Sequence, residues 1–148
     1  MNKKNVIIGL LVATLVIVIG VIVVAKTKLD DAALRANDSM IKFNVNQAKA
    51  QAEILRFDDG SYIKLCSDDT LNENAGDDYG DKLRSLEEDI AEVQGGFLNM
   101  HCQANDNNYC ISAELNTSLG LYFCVDNSGF VKTDANGDMC SSTSINCR

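Results

Sequence analysis

The sequence predicts an α+β protein in which a long N-terminal helix packs on a small antiparallel β-sheet stapled by disulfides. Three observations carry that prediction. An uncharged apolar run opens the chain, a helical apolar spacing continues it, and a two-residue period with six cysteines closes it. The chain has 148 residues and no proline, so nothing in it forces a helix to stop.

Val6 to Ala25 is twenty residues without a charge, and all but Gly9, Thr14 and Gly20 are Ala, Val, Ile or Leu. At 1.5 Å per residue such a run reaches about 30 Å, the thickness of a hydrocarbon core, so a single membrane-spanning helix is expected. The competing reading is a cleaved signal peptide with Lys3 and Lys4 as its basic start. Signal h-regions are shorter, about 7–15 residues, and Ala25-Lys26-Thr27 offers no small-x-small cleavage site, so a retained anchor is preferred. Gly9, Ala13 and Gly20 are candidate positions for close helix packing in the membrane.

Beyond the run, Leu34, Ile41, Val45, Ala48, Ala52 and Leu55 follow one another at steps of seven, four, three, four and three, which places them on one face of a helix. With no Gly between Val21 and Asp59, one continuous helix is predicted from about Val6 to about Asp58. Gly60 is its C-terminal stop. The polar stretch 66–82 reads as a long loop. A short helix follows, with Leu83, Leu86, Ile90 and Val93 on one face, Ser85 and Glu88 at capping-box spacing, and Gly95-Gly96 as its end.

Then the period changes. Tyr109, Ile111, Ala113 and Leu115 alternate with Cys110, Ser112 and Glu114, while Leu119, Leu121, Phe123 and Val125 alternate with Gly120, Tyr122 and Cys124. A three-residue hairpin loop at Asn116, Thr117 and Ser118 sets Ala113 opposite Leu121, Ile111 opposite Phe123 and Cys110 opposite Cys124. Directly opposed residues lie within disulfide range, which predicts Cys110–Cys124. Cys140–Cys147 then closes a short C-terminal loop, and Cys66–Cys102 ties the loop after the long helix to the first strand, although six cysteines allow fifteen pairings.

Residues 29–148 hold all six cysteines and all 21 acidic residues against nine basic ones, a net of −12. An even cysteine count in a domain of modest core size implies an oxidising compartment, which puts this part outside the cytoplasm. Zinc is the alternative use of the cysteines, but no Cys-x-x-Cys pair occurs and His101 is the lone histidine. Strong acidity excludes nucleic acid and anionic lipid head groups as expected partners. The predicted organisation is therefore a cytoplasmic stub and transmembrane helix over 1–28 and an extracytoplasmic head over 29–148. The head comprises the amphipathic helix at about 29–58, a loop and short helix at 59–96, and a sheet with a C-terminal loop at 97–148.

Two further constellations bear on function. Asp134, Asn136 and Asp138 alternate as ligands do at the start of a calcium loop, with Asp126 nearby, although Met139 stands where such loops carry glycine and no Glu closes the motif. Calcium is thus a candidate cofactor, set against a plain Asp/Asn/Gly turn. No nucleophile elbow, zinc-protease motif or phosphate-binding loop is present, and Asp58-Asp59, Asp68-Asp69 and Asp77-Asp78 read as solvated turns, so no catalytic residue is assigned and an enzyme is not expected.

An apolar N-terminal helix running into an amphipathic one, then Gly60-Ser61-Tyr62 and paired strands Tyr109–Leu115 and Leu121–Asp126, resembles the type IV pilins and the pseudopilins of type II secretion. Locally the match lies in Ala36-Asn37-Asp38-Ser39, Asn46-Gln47-Ala48 and Ala52-Glu53. The family's processing signal, Gly followed by Phe-Thr-Leu-Ile-Glu, is not matched, for Lys4 leads into Asn5-Val6-Ile7-Ile8-Gly9. A cut after Gly9 would put Thr14 in the fifth position, where the family carries Glu. The resemblance implies a pilin-like fold and a structural subunit anchored in the cytoplasmic membrane. Such a subunit assembles with copies of itself or related pilins into a surface or secretion filament. The alternative is a monomeric single-pass protein whose extracytoplasmic head binds a partner at the cell surface.

Overall fold

A computed structural model describes residues 3–134, 139–140 and 145–147, with side chains from Leu15 onward except that of Asp77. Helix α1 runs Lys3–Asp59, one helical element as the absence of proline and mid-helix breakers predicts. By its internal contacts the chain divides into two compact units, residues 1–34 and 35–148.

The first unit is helical throughout its described part. From Leu15 to Val24 its large apolar side chains are all more than half exposed, and nothing lies within 4 Å of a Cβ built on Gly20. Among the described residues no helix is long and apolar enough to cross a membrane; of the uncharged run, eleven of twenty positions have described side chains. The surroundings of Gly9 and Ala13 lie outside the described residues.

The second unit is α+β. After α1 come β1 (Cys66–Ser67), β2 (Thr70–Leu71), α2 (Asp77–Val93), β3 (Met100–Ala104), β4 (Tyr109–Glu114), β5 (Tyr122–Asp126) and β6 (Val131–Asp134). The last four form one antiparallel meander in the order β3-β4-β5-β6, and β1 and β2 form a small hairpin beside β3. Ile41, Val45, Ala48, Ala52 and Leu55 are all fully buried, as their spacing predicts. They share one core with Tyr109, Ile111, Ala113, Phe123 and Val125 of the sheet and Leu83 and Ile90 of α2. Each large aliphatic side chain so buried contributes about 1.5–3 kcal/mol. Leu34 is a correction: it is 40% exposed, one turn before Asp38, whose carboxylate accepts from the β4–β5 loop.

Two elements differ from expectation. The stretch 66–82 is not a plain loop, because Asp68 and Asp69, at φ 51° and 69°, make the two-residue turn of the β1–β2 hairpin. Both residues occupy left-handed positions that Asn-Gly usually fills, which hides the turn from sequence. Helix α2 starts at Asp77 with Gly76 as its N-cap and no side-chain cap, so Ser85 lies inside the helix and does not cap it. At Gly80 a Cβ would come 2.1 Å from the carbonyl oxygen of Glu73, so the chain before α2 folds tightly over a residue without a side chain. The stops are as predicted: Gly60 (φ 76°) donates to the Arg56 carbonyl, and Gly95 and Gly96 donate to those of Glu92 and Ala91.

Both faces of β4 and β5 are buried. One face carries Ile111, Ala113, Phe123 and Val125 toward α1. On the other, Cys110, Tyr122 and Cys124 cluster with Met139, Cys140, Ile145 and Cys147, which cover them.

Candidate functional site

A second apolar stripe lies on α1 once the first is buried. Met40, Phe43, Gln47, Ala50, Ile54 and Phe57 follow at alternating steps of three and four, and all six are exposed. The four large ones are exposed at 51%, 61%, 42% and 89%. At about 100° per residue they gather on the side of the helix roughly opposite Ile41 and Val45. Alternating steps of three and four are the seam of helix-on-helix knobs-into-holes packing. The sequence reading missed this stripe because it followed the more apolar face, yet the spacing was there to be counted.

The same helix holds the sheet. The Asp38 carboxylate is buried and accepts from the Asn116 N–H at 2.6 Å, the Thr117 N–H at 3.3 Å and the Thr117 hydroxyl. Asn37 and Asn116 both donate their side-chain amides to the Val93 carbonyl, at 3.2 and 2.8 Å, which joins α1, the end of α2 and the β4–β5 loop. Toward the other end of this part of α1, Glu53 accepts from the hydroxyls of Tyr62 at 3.2 Å and Tyr109 at 3.1 Å. Burial, then the Glu53 carboxylate, holds the Tyr109 phenol far above its ordinary range, so Tyr109 stays a donor.

The disulfides are Cys66–Cys102, Cys110–Cys140 and Cys124–Cys147, and none of the described cysteines is free. The first is the expected pair; the expected Cys110–Cys124 and Cys140–Cys147 are corrected. The error is one of register. The β4–β5 connection is closed by Leu115 N–H to the Leu121 carbonyl, with Gly120 at φ 76°, so it is longer than a three-residue loop. Ala113 therefore faces Phe123, Ile111 faces Val125, and Cys110 faces Asp126. A slip of two keeps every side chain on its predicted face while moving the cysteines out of direct opposition. Each then takes a partner from the covering segment.

Of the calcium candidates, Asp126 and Asp134 are described. Asn136 and Asp138 lie outside the described residues. Asp134 pairs with Lys132 at the end of β6. Asp126 is buried and fully used: its Oδ1 accepts from the N–H and hydroxyl of Ser128 at 2.9 and 2.6 Å and from the Phe130 N–H at 3.3 Å, and its Oδ2 accepts from the Cys147 N–H at 3.1 Å. Burial pushes this carboxyl up, but those bonds to its ionised form outweigh burial and hold it below the usual range. Its lone pairs therefore serve the chain and are not turned toward a cation.

His101 is half-buried with Nδ1 2.7 Å from Asp69 Oδ2, and Gln103 donates to Asp69 Oδ1 at 2.9 Å. With the Cys102 N–H on the Asp69 carbonyl at 2.9 Å, three bonds hold the strained β1–β2 turn against β3. The contact with Asp69 makes this imidazole a tie between β3 and the β1–β2 turn.

At the end of the sheet near Asp38, Phe97 and Leu119 stand almost fully exposed beside a shallow cavity of about 190 Å³. Its floor is occupied by a closed network: Gln94 donates to the Asn99 and Glu114 carbonyls and accepts from the Asn99 N–H. No protein-family model, curated protein or solved structure matches the chain.

Proposed function

We propose that this chain is a structural subunit of a type IV pilus-like or type II secretion pseudopilus-like filament. The observation that supports the reading is the exposed stripe Met40, Phe43, Gln47, Ala50, Ile54 and Phe57. It leaves α1 with one face committed to its own sheet and a second, spaced for another helix, uncovered. In this proposal the run Val6–Ala25 anchors the chain in the cytoplasmic membrane, the disulfide-bonded head lies outside, and copies or related subunits pack helix against helix. Small residues at Gly9, Ala13 and Gly20 suit close approach within the membrane. Chemistry would have no part in such a role; the work is packing.

The test is electron microscopy of cells expressing the full chain, with size analysis of detergent extracts. Filaments are expected, and Phe43→Glu with Phe57→Glu should abolish them while the thermal midpoint of the purified protein stays within a few degrees, since both side chains are exposed. A chain found only as a monomer in membranes, or filaments indifferent to both charges, overturns the proposal. The first of these outcomes returns the reading to a monomeric surface-binding module.

A further inference from the structure

Four of the six cysteines lie together in a way that their pairing alone does not require. Cys110 and Cys124 stand on adjacent strands, on the sheet face away from α1, and Cys140 and Cys147 come down on them from the covering segment. Across the two disulfides, Cys124 Sγ is 3.5 Å from Cys140 Sγ and Cys110 Sγ is 4.0 Å from Cys147 Sγ, with Cys110 and Cys124 sulfurs 3.4 Å apart. All four residues are buried in one cluster, whereas Cys102 belongs to the core on the opposite face of the sheet. Besides its present partner, each sulfur on the strands therefore has the other covering sulfur within 4.0 Å and the other strand sulfur at 3.4 Å.

We infer that these four cysteines form an exchange pair, able to pass from Cys110–Cys140 with Cys124–Cys147 to Cys110–Cys147 with Cys124–Cys140. The co-reactant is a small monothiolate, regained at the end. It attacks Cys140 Sγ, forms a mixed disulfide there and expels Cys110 as thiolate. The Cys110 thiolate attacks Cys147 Sγ, making Cys110–Cys147 and expelling Cys124. The Cys124 thiolate attacks Cys140 Sγ in the mixed disulfide, making Cys124–Cys140 and releasing the monothiolate. Three S–S bonds form and three break, and no net oxidation occurs. Entry needs local opening at Cys140, because that residue is buried. The consequence is a cover that seats on the sheet in two covalent registers, with Cys140 over β4 in one and over β5 in the other.

The test needs no added thiol. In Cys140→Ser the Cys110 thiol is freed beside an intact Cys124–Cys147. After incubation of the full chain at pH 8.5 and acid quench, the free thiol is alkylated and located by mass spectrometry. Glu-C cleavage after Glu114 separates Cys110 from Cys124. The expected result is a shift of label from Cys110 to Cys124, with Cys66–Cys102 intact. Label that stays on Cys110, or that moves to Cys147 instead, overturns the inference. So does any entry of Cys66 or Cys102 into new pairs, since that is scrambling of an unfolded chain. Wild-type protein in a glutathione buffer supplies the second measurement: Cys110–Cys147 should accumulate with Cys124–Cys140, and a map that keeps only the original pairs overturns the inference equally.

Discussion

Glu87 shows how a single buried charge sets a pH dependence. It lies on α2 with little exposure, and burial, followed by the nearby Glu73 carboxylate, raises its carboxyl above the ordinary value despite a hydrogen bond with the Thr70 side chain. A folded-state value above the unfolded one means that the folded protein holds the proton more tightly. Stability from this group is therefore present at low pH and is lost as pH rises from the ordinary carboxyl range through the raised value. Glu87→Gln should melt at a higher temperature than the parent at pH 7, with the advantage shrinking toward pH 4. Thermal melts of both proteins across that window check the sign, and parallel curves would contradict it. Asp126 works in the other direction, its stabilisation fading only as acid protonates it. Neither residue was singled out for such a role by sequence. Acids are abundant in this chain, and burial is decided by neighbours from distant segments.

Among the elements, α1 and the β4–β5 loop are joined by the Asp38 carboxylate. Asp38→Ala would leave the Asn116 and Thr117 N–H groups and the Thr117 hydroxyl without their acceptor, at a cost of about 1–3 kcal/mol for the buried group. Chemical denaturation should read that loss, and hydrogen exchange should rise first at Asn116 and Thr117. The legible part of the fold lies in these elements. Ile41 through Leu55 declared their buried face by spacing, and Tyr109 to Val125 declared strands by alternation. What stayed hidden depended on backbone conformations that the residue types do not advertise. Asp68 and Asp69 turn a hairpin without glycine, and the loop ending at Gly120 is longer than the strand pattern suggested. That small difference in loop length moved the register by two and with it two of the three disulfide assignments. The exposed stripe from Met40 to Phe57 was written in the sequence and overlooked, whereas the covering segment around Met139 and Cys147 has no periodicity to read.

At the scale of the molecule, the disulfides divide the labour between the sheet's two surroundings. Cys66–Cys102 fixes the small hairpin to β3, and the other two fix the cover to β4 and β5. By the chain-entropy argument, a bridge spanning 36 residues stabilises by about 4 kcal/mol. Cys66→Ala with Cys102→Ala should lower the denaturation free energy by an amount of that order and loosen the Asp68–Asp69 turn, while Cys110–Cys140 and Cys124–Cys147 still form. Urea titration with disulfide mapping tests both parts.

The placement of the cover late in the chain also imposes an order in time. As the polypeptide emerges N-terminus first, Cys66 and Cys102 can find each other while the rest is still being made. Cys110 and Cys124, in contrast, must wait some thirty and some twenty residues for Cys140 and Cys147. During that interval each is the other's nearest available thiol. A nascent chain that stalls between Cys140 and Cys147 holds five cysteines, so one thiol must stay unbridged until synthesis has run past the cover.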